Sequence, residues 1–300
     1  MKAILAYPKR FGRATVRFLV YNWIDNIDLT EKQALYWLGV FKRWPAIFDE
    51  SPYKRMVSVA DGKTIEVGLF DFIERTLAVY GEWDRKVLNV LRQRLSAGSV
   101  FVDIGSNIGY FSLVASSLVG ETGVVFALEP SRRPLKKLIA NLDRNDIQNV
   151  ILVSLACGSN KSIATLNRAS HHNSGASSLL SHVGKGAKEK VIVLPVDSFF
   201  TDLGIRADLI KIDVEGYEFE VLCGMRETLL RQRPEVLTEV SPHWLVESGC
   251  GVVDLYKMMD EIKYKAFNVD DDGSLTKLEY EDFATLDGQQ EVLFLPDPIY

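Results

Sequence analysis

The stretch FVDIGSNIGYFSL, residues 101–113, decides the fold of this chain. It combines an apolar strand that reaches Asp103, a turn that contains Gly105 and Gly109, and the first residues of a helix. Such a unit opens an α/β sheet, and these sheets bind ligands at the carboxyl ends of their strands. Glycine lets the backbone approach a ligand closely because it has no Cβ. The sequence therefore predicts a ligand site at this strand end.

The region that follows repeats the same pattern, with short apolar runs alternating with amphipathic helices. The predicted strands are 100–104, 124–128, 150–155, 209–213 and 236–240, and the predicted helices lie near 109–119, 131–145, 216–231 and 251–263. Apolar strands between amphipathic helices are typical of a parallel sheet that is covered on both faces. We expect one α/β domain with a Rossmann-like, mostly parallel, doubly wound sheet.

Antiparallel strands are expected after the last helix. Residues 264–269 and 275–278 flank a turn at Asp272 and Gly273, and 291–295 is a further apolar run. Residues 268–279 also match part of a calcium-loop pattern, but the alternating flanks favour a hairpin turn that needs no metal. The C-terminal strands therefore predict an antiparallel hairpin that closes the sheet edge.

The N-terminal part has a different pattern. Residues 56–69 predict a hairpin around Asp61 and Gly62, since this dipeptide tolerates the positive φ of a tight turn, and 72–80 predicts a helix. Apolar residues at helical spacing predict a mainly helical extension over 1–55, with the α/β domain occupying 56–300.

The charge of the chain restricts its partners. The 300 residues carry a formal net charge of -5, which disfavours a nucleic-acid substrate because phosphate binding needs an excess of Lys and Arg.

The sequence lacks both a signal-type apolar run and a stretch of about 18 apolar residues, so we expect a cytoplasmic protein. Residues 1–20 are basic and contain no acid. They favour a helix whose apolar side docks on the domain, and weak contact with an anionic membrane is the alternative.

The charge pattern of the first turn favours one cofactor over another. Asn107 replaces the middle glycine of the G-x-G-x-x-G pattern that dinucleotide-binding folds use, and Asp103 would repel a pyrophosphate. S-adenosylmethionine carries an ammonium and a sulfonium and no phosphate, so it fits better. Glu129 follows Gly109 by about 20 residues, the distance at which such folds place an acid on a ribose diol.

These motifs resemble the FkbM family of S-adenosylmethionine-dependent methyltransferases. The resemblance extends over about 57–295 and rests on VFVDIGSNIGYFSL (100–113), FALEPS (126–131), ADLIKIDVEGYEFEVLCGM (207–225) and RPEVLTEV (233–240), with YGEWD (80–84) before them. The block KIDVEGYE, residues 211–218, is the most distinctive. Ser106 departs from the alanine that is common in the family. The resemblance implies a class I methyltransferase fold and O-methylation of a sugar, glycan or polyketide-type hydroxyl.

The resemblance and the motifs together give a set of cofactor-binding candidates. Glu82 is expected to approach the methionine end of the cofactor. The full set is Glu82, Asp103, Gly105, Ser106, Asn107, Gly109, Glu129, Pro130 and Ala156.

The catalytic candidates are Lys211, Asp213, Glu215 and His243. The first three alternate along the fourth strand and its turn, so we expect their side chains to face the same way at the ligand edge. A carboxylate there can accept the proton that an acceptor hydroxyl loses during methyl transfer. The structural alternative is that Asp213 caps the next helix and Glu215 suits its positive N-terminus. His243 follows the fifth strand and is a second candidate base or an ordinary surface residue.

Two further functions remain as alternatives. One is a cofactor-binding module without catalysis, which the intact Asp213 and Glu215 disfavour. The other is a nicotinamide-dependent oxidoreductase, which the missing glycine and Asp103 disfavour. Acceptor selection is assigned to 157–190 and to the N-terminal extension. Within 157–190, His171 and His172 lie in either a mobile acceptor-binding loop or an unremarkable polar loop.

Overall fold

The computed structural model describes residues 54–68, 71–168, 175, 177–180 and 187–298. The predicted helical extension up to residue 53, its basic N-terminus and the histidines at 171 and 172 lie outside the described residues. The domain boundary near residue 55 therefore stays a prediction.

The described part of the chain alternates strands and helices. The strands are β1 (Lys54–Ser58), β2 (Thr64–Gly68), β3 (Val100–Ile104), β4 (Val124–Leu128), β5 (Val150–Val153), β6 (Ala156–Cys157), β7 (Ser162–Asn167), β8 (Lys188–Leu194), β9 (Leu209–Ile212), β10 (Glu235–Val240), β11 (Tyr264–Val269), β12 (Leu275–Leu278) and β13 (Gln290–Pro296). The helices are α1 (Phe72–Tyr80), α2 (Arg85–Arg94), α3 (Tyr110–Val119), α4 (Arg132–Arg144), α5 (Val196–Leu203), α6 (Glu218–Cys223), α7 (Arg226–Gln232), α8 (Pro242–Glu247), α9 (Val252–Glu261) and α10 (Tyr280–Ala284).

The central sheet has the predicted α/β architecture. Among the described residues it contains eight strands in the order β12-β11-β13-β10-β9-β3-β4-β5. Neighbours from β5 to β10 are parallel, whereas β13 and β11 join antiparallel. β11 and β12 form the hairpin predicted at 264–278. The Rossmann-like sheet with an antiparallel C-terminal hairpin is confirmed.

Apolar layers cover both faces of this sheet. Phe101 and Leu209 belong to one core, which also contains Leu113 of α3, while Val102 and Ile210 belong to the opposite core. Successive strand residues point to opposite faces, so continuous apolar strands fill both layers. The sheet is therefore buried on both faces, and its carboxyl edge is the place where polar groups gather.

The N-terminal hairpin is confirmed in detail. β1 and β2 pair antiparallel, and Val57 lies opposite Ile65. Asp61 and Gly62 between them have φ values of 57° and 72°. Helix α1 begins after Asp71, whose carboxylate accepts hydrogen bonds from two backbone N–H groups of the first turn, and it ends at Gly81 with φ 72°.

The segment 157–190 contains regular structure among its described residues. β7 pairs antiparallel with β8, and β6 pairs with the other side of β8, in a separate three-stranded sheet of the described residues. Buried and exposed positions alternate along β8, where Glu189, Val191 and Val193 point inward. The inward Glu189 and the outward Ile192, which is 55% exposed, mask this two-residue period in the sequence.

The predicted helix over 216–231 is two helices, α6 and α7, that meet at Gly224 and Met225. A Cβ on Gly224 would overlap the backbone carbonyl of Gly158, so another part of the chain passes directly against this point. Helix α5 was not predicted because only its residues Val196 and Phe200 are buried. None of the helices in the described part of the chain has the length and apolarity needed to cross a membrane.

Candidate functional site

A cavity of about 670 Å³ lies at the carboxyl ends of the parallel strands. The turns that follow β3, β4 and β9 form its floor, and they contribute Gly105, Glu129 and Asp213. Trp83 and Trp244 are aromatic parts of its wall. A concave pocket that combines apolar surface with a few convergent polar groups is the usual form of a small-molecule site.

The glycine turn after β3 is held by contacts with its neighbours. Gly105 has φ 82°, and a Cβ there would lie far inside van der Waals contact with the carbonyl oxygen of Asp213. Gly109 has φ 84°, and its Cβ would overlap Leu138 of α4. Gly105 therefore allows the β3 and β9 turns to approach each other, while Gly109 is required by packing. Gly105 lines the cavity, whereas Gly109 and Ser106 do not.

Glu129 connects the ends of β3 and β4. Its Oε2 accepts a hydrogen bond from the backbone N–H of Asn107 at 2.9 Å, and its Oε1 accepts one from Ser131 at 2.8 Å. Burial raises the pKa of Glu129 to about 7, although both hydrogen bonds favour the charged form. Glu129, Asn107, Pro130 and Ala156 all line the cavity. The structure thus brings these predicted cofactor residues together.

Lys211 lies beneath the floor and links two carboxylates. Its Nζ is 3.1 Å from Oδ2 of Asp213 and 3.8 Å from Oδ1 of Asp103, and its side chain is only 3% exposed. Burial alone would lower the pKa of Lys211, but Asp213 and Asp103 raise it above its ordinary value, so the ammonium stays charged. Ser112 donates a 2.6 Å hydrogen bond to Asp103. Asp103 and Lys211 do not line the cavity, and Asp213 is the member of this group that does.

The loop after Asp213 departs from strand geometry. Glu215 has φ 54°, which is outside the range of a strand, so the alternation of side chains along a strand does not determine where it points. Glu215 nevertheless lines the same cavity as Asp213. Glu218 holds the loop, because its Oε1 accepts hydrogen bonds from the backbone N–H groups of Val214 and Gly216. No side chain of the described residues caps α6, whose N-cap residue is Tyr217, so the alternative in which Asp213 caps this helix is wrong.

Burial shifts the ionisation of these loop carboxyls. Burial, with Asp213 and Glu218 adding negative charge, raises the pKa of Glu215 to about 8. Burial also raises the pKa of Glu218 to about 7. Carboxyls that stay partly neutral near pH 7 are common at working sites, where they hold or donate protons.

His243 and Glu82 are two further predicted residues that do not line the cavity. The side chain of His243 is 74% exposed, and its Nε2 is 3.2 Å from Glu247 one turn further along α8, whereas its neighbour Trp244 faces the cavity. Glu82 pairs with Arg85 at 3.0 Å and does not line the cavity.

Sequence reasoning missed several polar residues that line the cavity. Among them are Asp84, Glu239, Gln289 and Glu291. The signal that identified Glu129, an acid near the carboxyl end of an apolar strand, is also present at Glu239 on β10. Glu291 begins an antiparallel strand, and its position depends on pairing with β10, which no local pattern reports. Asp84 lies in YGEWD and has φ 44°, a conformation that a local pattern does not predict.

The raised carboxyl pKa values predict that the free protein loses stability as pH rises. Glu129, Glu215 and Glu218 have pKa values of about 7 to 8 in the fold against ordinary values near 4.5. Their neutral forms stabilise the fold fully below pH 4.5, and that stabilisation is lost as pH rises through 7 to 8. We expect the melting temperature to fall by several degrees between pH 5.5 and pH 9, as measured by calorimetry.

The control for this pH effect is Glu215→Gln, which removes one of the titrating groups. The variant should show a smaller fall over the same pH range. A melting temperature that rises with pH would contradict the assigned directions.

The chain is similar to several methyltransferases. It is 32% identical over 68 residues to a protein described as "Probable cobalt-precorrin-6B C(15)-methyltransferase (decarboxylating)" of Sulfurisphaera tokodaii, and equally to that of Sulfolobus acidocaldarius. Each match covers 23% of this chain and 35% of the relative, so the chain spans about a third of the length of these curated relatives.

Solved structures with a similar arrangement include two further methyltransferases. One is the methyltransferase FkbM from Methylobacillus flagellatus KT, with 16% identity, a TM-score of 0.43, and coverage of 79% of this chain and 56% of that chain. The other is a precorrin-6y C5,15-methyltransferase from Geobacter metallireducens GS-15, with 14% identity, a TM-score of 0.39, and coverage of 70% of this chain and 86% of that chain.

The family match covers the elements that build the cavity floor. Residues 103–269 match the family described as the methyltransferase FkbM domain, which is more than half of the chain. This span begins at the end of β3 and includes the turns with Glu129 and Asp213. The chain belongs to the FkbM methyltransferase domain family.

Proposed function

We propose that this protein is an S-adenosylmethionine-dependent methyltransferase that transfers a methyl group to a hydroxyl oxygen of a small-molecule or glycan acceptor. The observation that carries the proposal is that Glu129 and Asp213 line one cavity on opposite sides of the Gly105 turn. The first can bind the hydroxyls of a ribose, and the second can accept a proton. Membership of a methyltransferase family supports the same reaction class.

The residues present fit this cofactor. Glu129 offers lone pairs on two carboxylate oxygens beyond its two backbone hydrogen bonds. Asn107 Oδ1 is buried and has no hydrogen-bond partner among the described residues, so it can accept from a ligand. Ala156 and Pro130 supply small apolar surface next to them. When bound, the cofactor supplies an electrophilic methyl group on a cationic sulfur.

Asp213 is assigned as the proton acceptor. Its side chain is 35% exposed and faces the cavity, while Lys211 fixes one carboxylate oxygen at 3.1 Å from below. As the acceptor oxygen bonds to the methyl carbon, the carbon–sulfur bond would break with its electron pair left on sulfur, and the hydroxyl proton would pass to the carboxylate of Asp213. Lys211 positions Asp213 through this contact. The rest of the rate enhancement comes from the alignment of the reacting atoms within the cavity.

Glu215 has a complementary role in this proposal. With a pKa of about 8, its carboxyl is mostly neutral at pH 7 and can donate a hydrogen bond to the acceptor. Asp213 and Glu215 thus divide the two functions of holding and deprotonating a hydroxyl.

Acceptor contact from the segment 157–190 is supported by five of its described residues. Those that line the cavity are Cys157, Leu166, Gly175, Ser177 and Leu179. A cytoplasmic location, the absence of a nucleic-acid substrate and weak membrane contact through the N-terminus stay predictions from the sequence.

The experiment that tests the proposed reaction uses cofactor with a labelled methyl group. The protein is incubated with that cofactor and a panel of sugars, polyketides and cell extract, and products are identified by mass and fragmentation. Label on a hydroxyl oxygen supports the proposal. Label that appears only on carbon or nitrogen overturns the assignment to oxygen.

Replacing Glu129 with alanine is expected to weaken cofactor binding by about 1–3 kcal/mol, because charge-assisted hydrogen bonds to ribose hydroxyls are lost. Calorimetry measures the change, with the exposed Glu121→Ala on the turn before β4 as a control that should bind normally. An unchanged dissociation constant in folded Glu129→Ala would show that this carboxylate serves only its two backbone N–H groups.

A further inference from the structure

The cavity contains many more acids than bases. Seven carboxylate side chains line it among the described residues, against the two cations of Arg85 and Lys86. Both cations already have partners, since Arg85 pairs with Glu82 at 3.0 Å and Lys86 lies 4.0 Å from Asp271. The described lining therefore offers a ligand more acidic than basic side chains, and a bound cation would favour the charged forms of these acids.

Two of these acids lie directly opposite each other. Glu239 on β10 and Glu291 on β13 are register partners in adjacent antiparallel strands, and both line the cavity. Like charges at such positions destabilise a sheet. Burial, with the negative charge of Asp213 and Glu291, raises the pKa of Glu239. Burial and the carboxylate of Asp84 do the same for Glu291. A cation between the two side chains would remove this repulsion.

Glu239 also has an oxygen without a partner. Its side chain is only 7% exposed, its Oε1 accepts a hydrogen bond from Gln289, and its Oε2 has no hydrogen-bond partner among the described residues. A buried carboxylate oxygen without a donor is costly. Because Glu239 lines the cavity, a ligand is the natural source of the missing donor.

The Glu239 and Glu291 pair lies on the acceptor side of the site. The strand order β13-β10-β9-β3-β4 places Asp213 after β9, between this pair and Glu129 after β4. β13 is two strand positions from β9, about 10 Å at the usual spacing between strands. Trp244 and Tyr217 also line the cavity, and aromatic faces attract cations.

We infer that the acceptor carries a protonated amine, which binds between Glu239 and Glu291 while its hydroxyl reaches Asp213. The acceptor class is thus an amino sugar or another amino alcohol. The inference rests on the proposed function and narrows its substrate class. An ammonium group supplies the donor that Oε2 of Glu239 lacks and offsets the repulsion between the two acids. Acceptors with a carboxylate or phosphate near the hydroxyl are repelled.

The test uses the full-length protein loaded with S-adenosylhomocysteine, whose binding is measured first by calorimetry. Glucosamine, glucose and gluconate are then compared by NMR titration, since they share a polyol and differ in charge. We expect glucosamine to bind at least tenfold more tightly than glucose, and gluconate to bind more weakly than either. Glu239→Gln and Glu291→Gln should each reduce the glucosamine preference fivefold or more. The exposed Glu261→Gln, outside the cavity, should keep it.

Failure of S-adenosylhomocysteine to bind would contradict the proposed function itself. If S-adenosylhomocysteine binds normally but glucosamine is not preferred, or no sugar binds at all, only the amine inference is overturned. Micromolar binding of Mg²⁺ that Glu239→Gln abolishes would also overturn the amine inference, because Glu239 and Glu291 would then form a metal site. If one variant unfolds, the other variant and the comparison of sugars on the wild-type protein still decide the result.

Discussion

Asp213→Asn is expected to lower turnover about 100-fold or more while cofactor affinity stays within about tenfold. The amide of asparagine has nearly the same shape as the carboxylate, but it is neutral and cannot accept the proton. It also leaves Lys211 with Asp103 as its remaining carboxylate at 3.8 Å. The measurement is turnover with an identified acceptor, together with calorimetry of cofactor binding and a thermal melt.

Glu215→Gln should lower turnover less than Asp213→Asn does, because the amide can still donate the hydrogen bond that Glu215 gives to the acceptor. A loss of about 100-fold would show that Glu215 shares the proton transfer. Asp271→Asn is a matched control, since Asp271 lines the mouth of the cavity and its side chain is 93% exposed. It should retain activity. Retained activity in folded Asp213→Asn would contradict its assignment as the base.

Gly105→Ala is expected to destabilise the fold by about 3 kcal/mol or more, the upper end of single-residue effects. The new Cβ would overlap the backbone carbonyl of Asp213, which cannot rotate away as a side chain can. The positive φ of 82° adds strain. Denaturant unfolding measures the loss, and any folded fraction should bind cofactor poorly because the β3 and β9 turns are forced apart.

Gly204→Ala isolates the effect of φ from the effect of the clash. Gly204 ends α5 with φ 65°, and no atom of the described residues, apart from its chain neighbours, lies within 4 Å of the position of its Cβ. The free energy of unfolding of Gly204→Ala should be about 1 kcal/mol lower than that of the wild-type protein. Equal losses in the two variants would show that the Gly105 contact with the Asp213 loop has no structural importance.

The parallel strands and the glycine turn could be predicted from local patterns. Strands over 100–104 and 124–128 were predicted to the residue, because an apolar run that is buried on both faces ends where polar and glycine residues begin. Glu129 was found for the same reason, as an acid at such a boundary. The convergence of these strand ends at one cavity follows from the parallel order.

Features that depend on contacts between distant segments could not be predicted. The opposition of Glu239 and Glu291 depends on the register of β10 against β13. The break between α6 and α7 depends on the approach of Gly158, and the position of Glu215 depends on its positive φ. The position of His243 after a strand predicted that it lies near the cavity, but it could not predict which side chains of helix α8 face inward. Trp244 faces the cavity, whereas His243 is exposed.

The central claim is that the turns after β3 and β4 hold S-adenosylmethionine. Calorimetric titration of the purified protein with S-adenosylmethionine, S-adenosylhomocysteine and NAD tests it directly. We predict dissociation constants in the micromolar range for the first two, corresponding to about -8 kcal/mol at 1 μM, and no comparable binding of NAD. Tighter binding of NAD than of either sulfur compound would contradict the account.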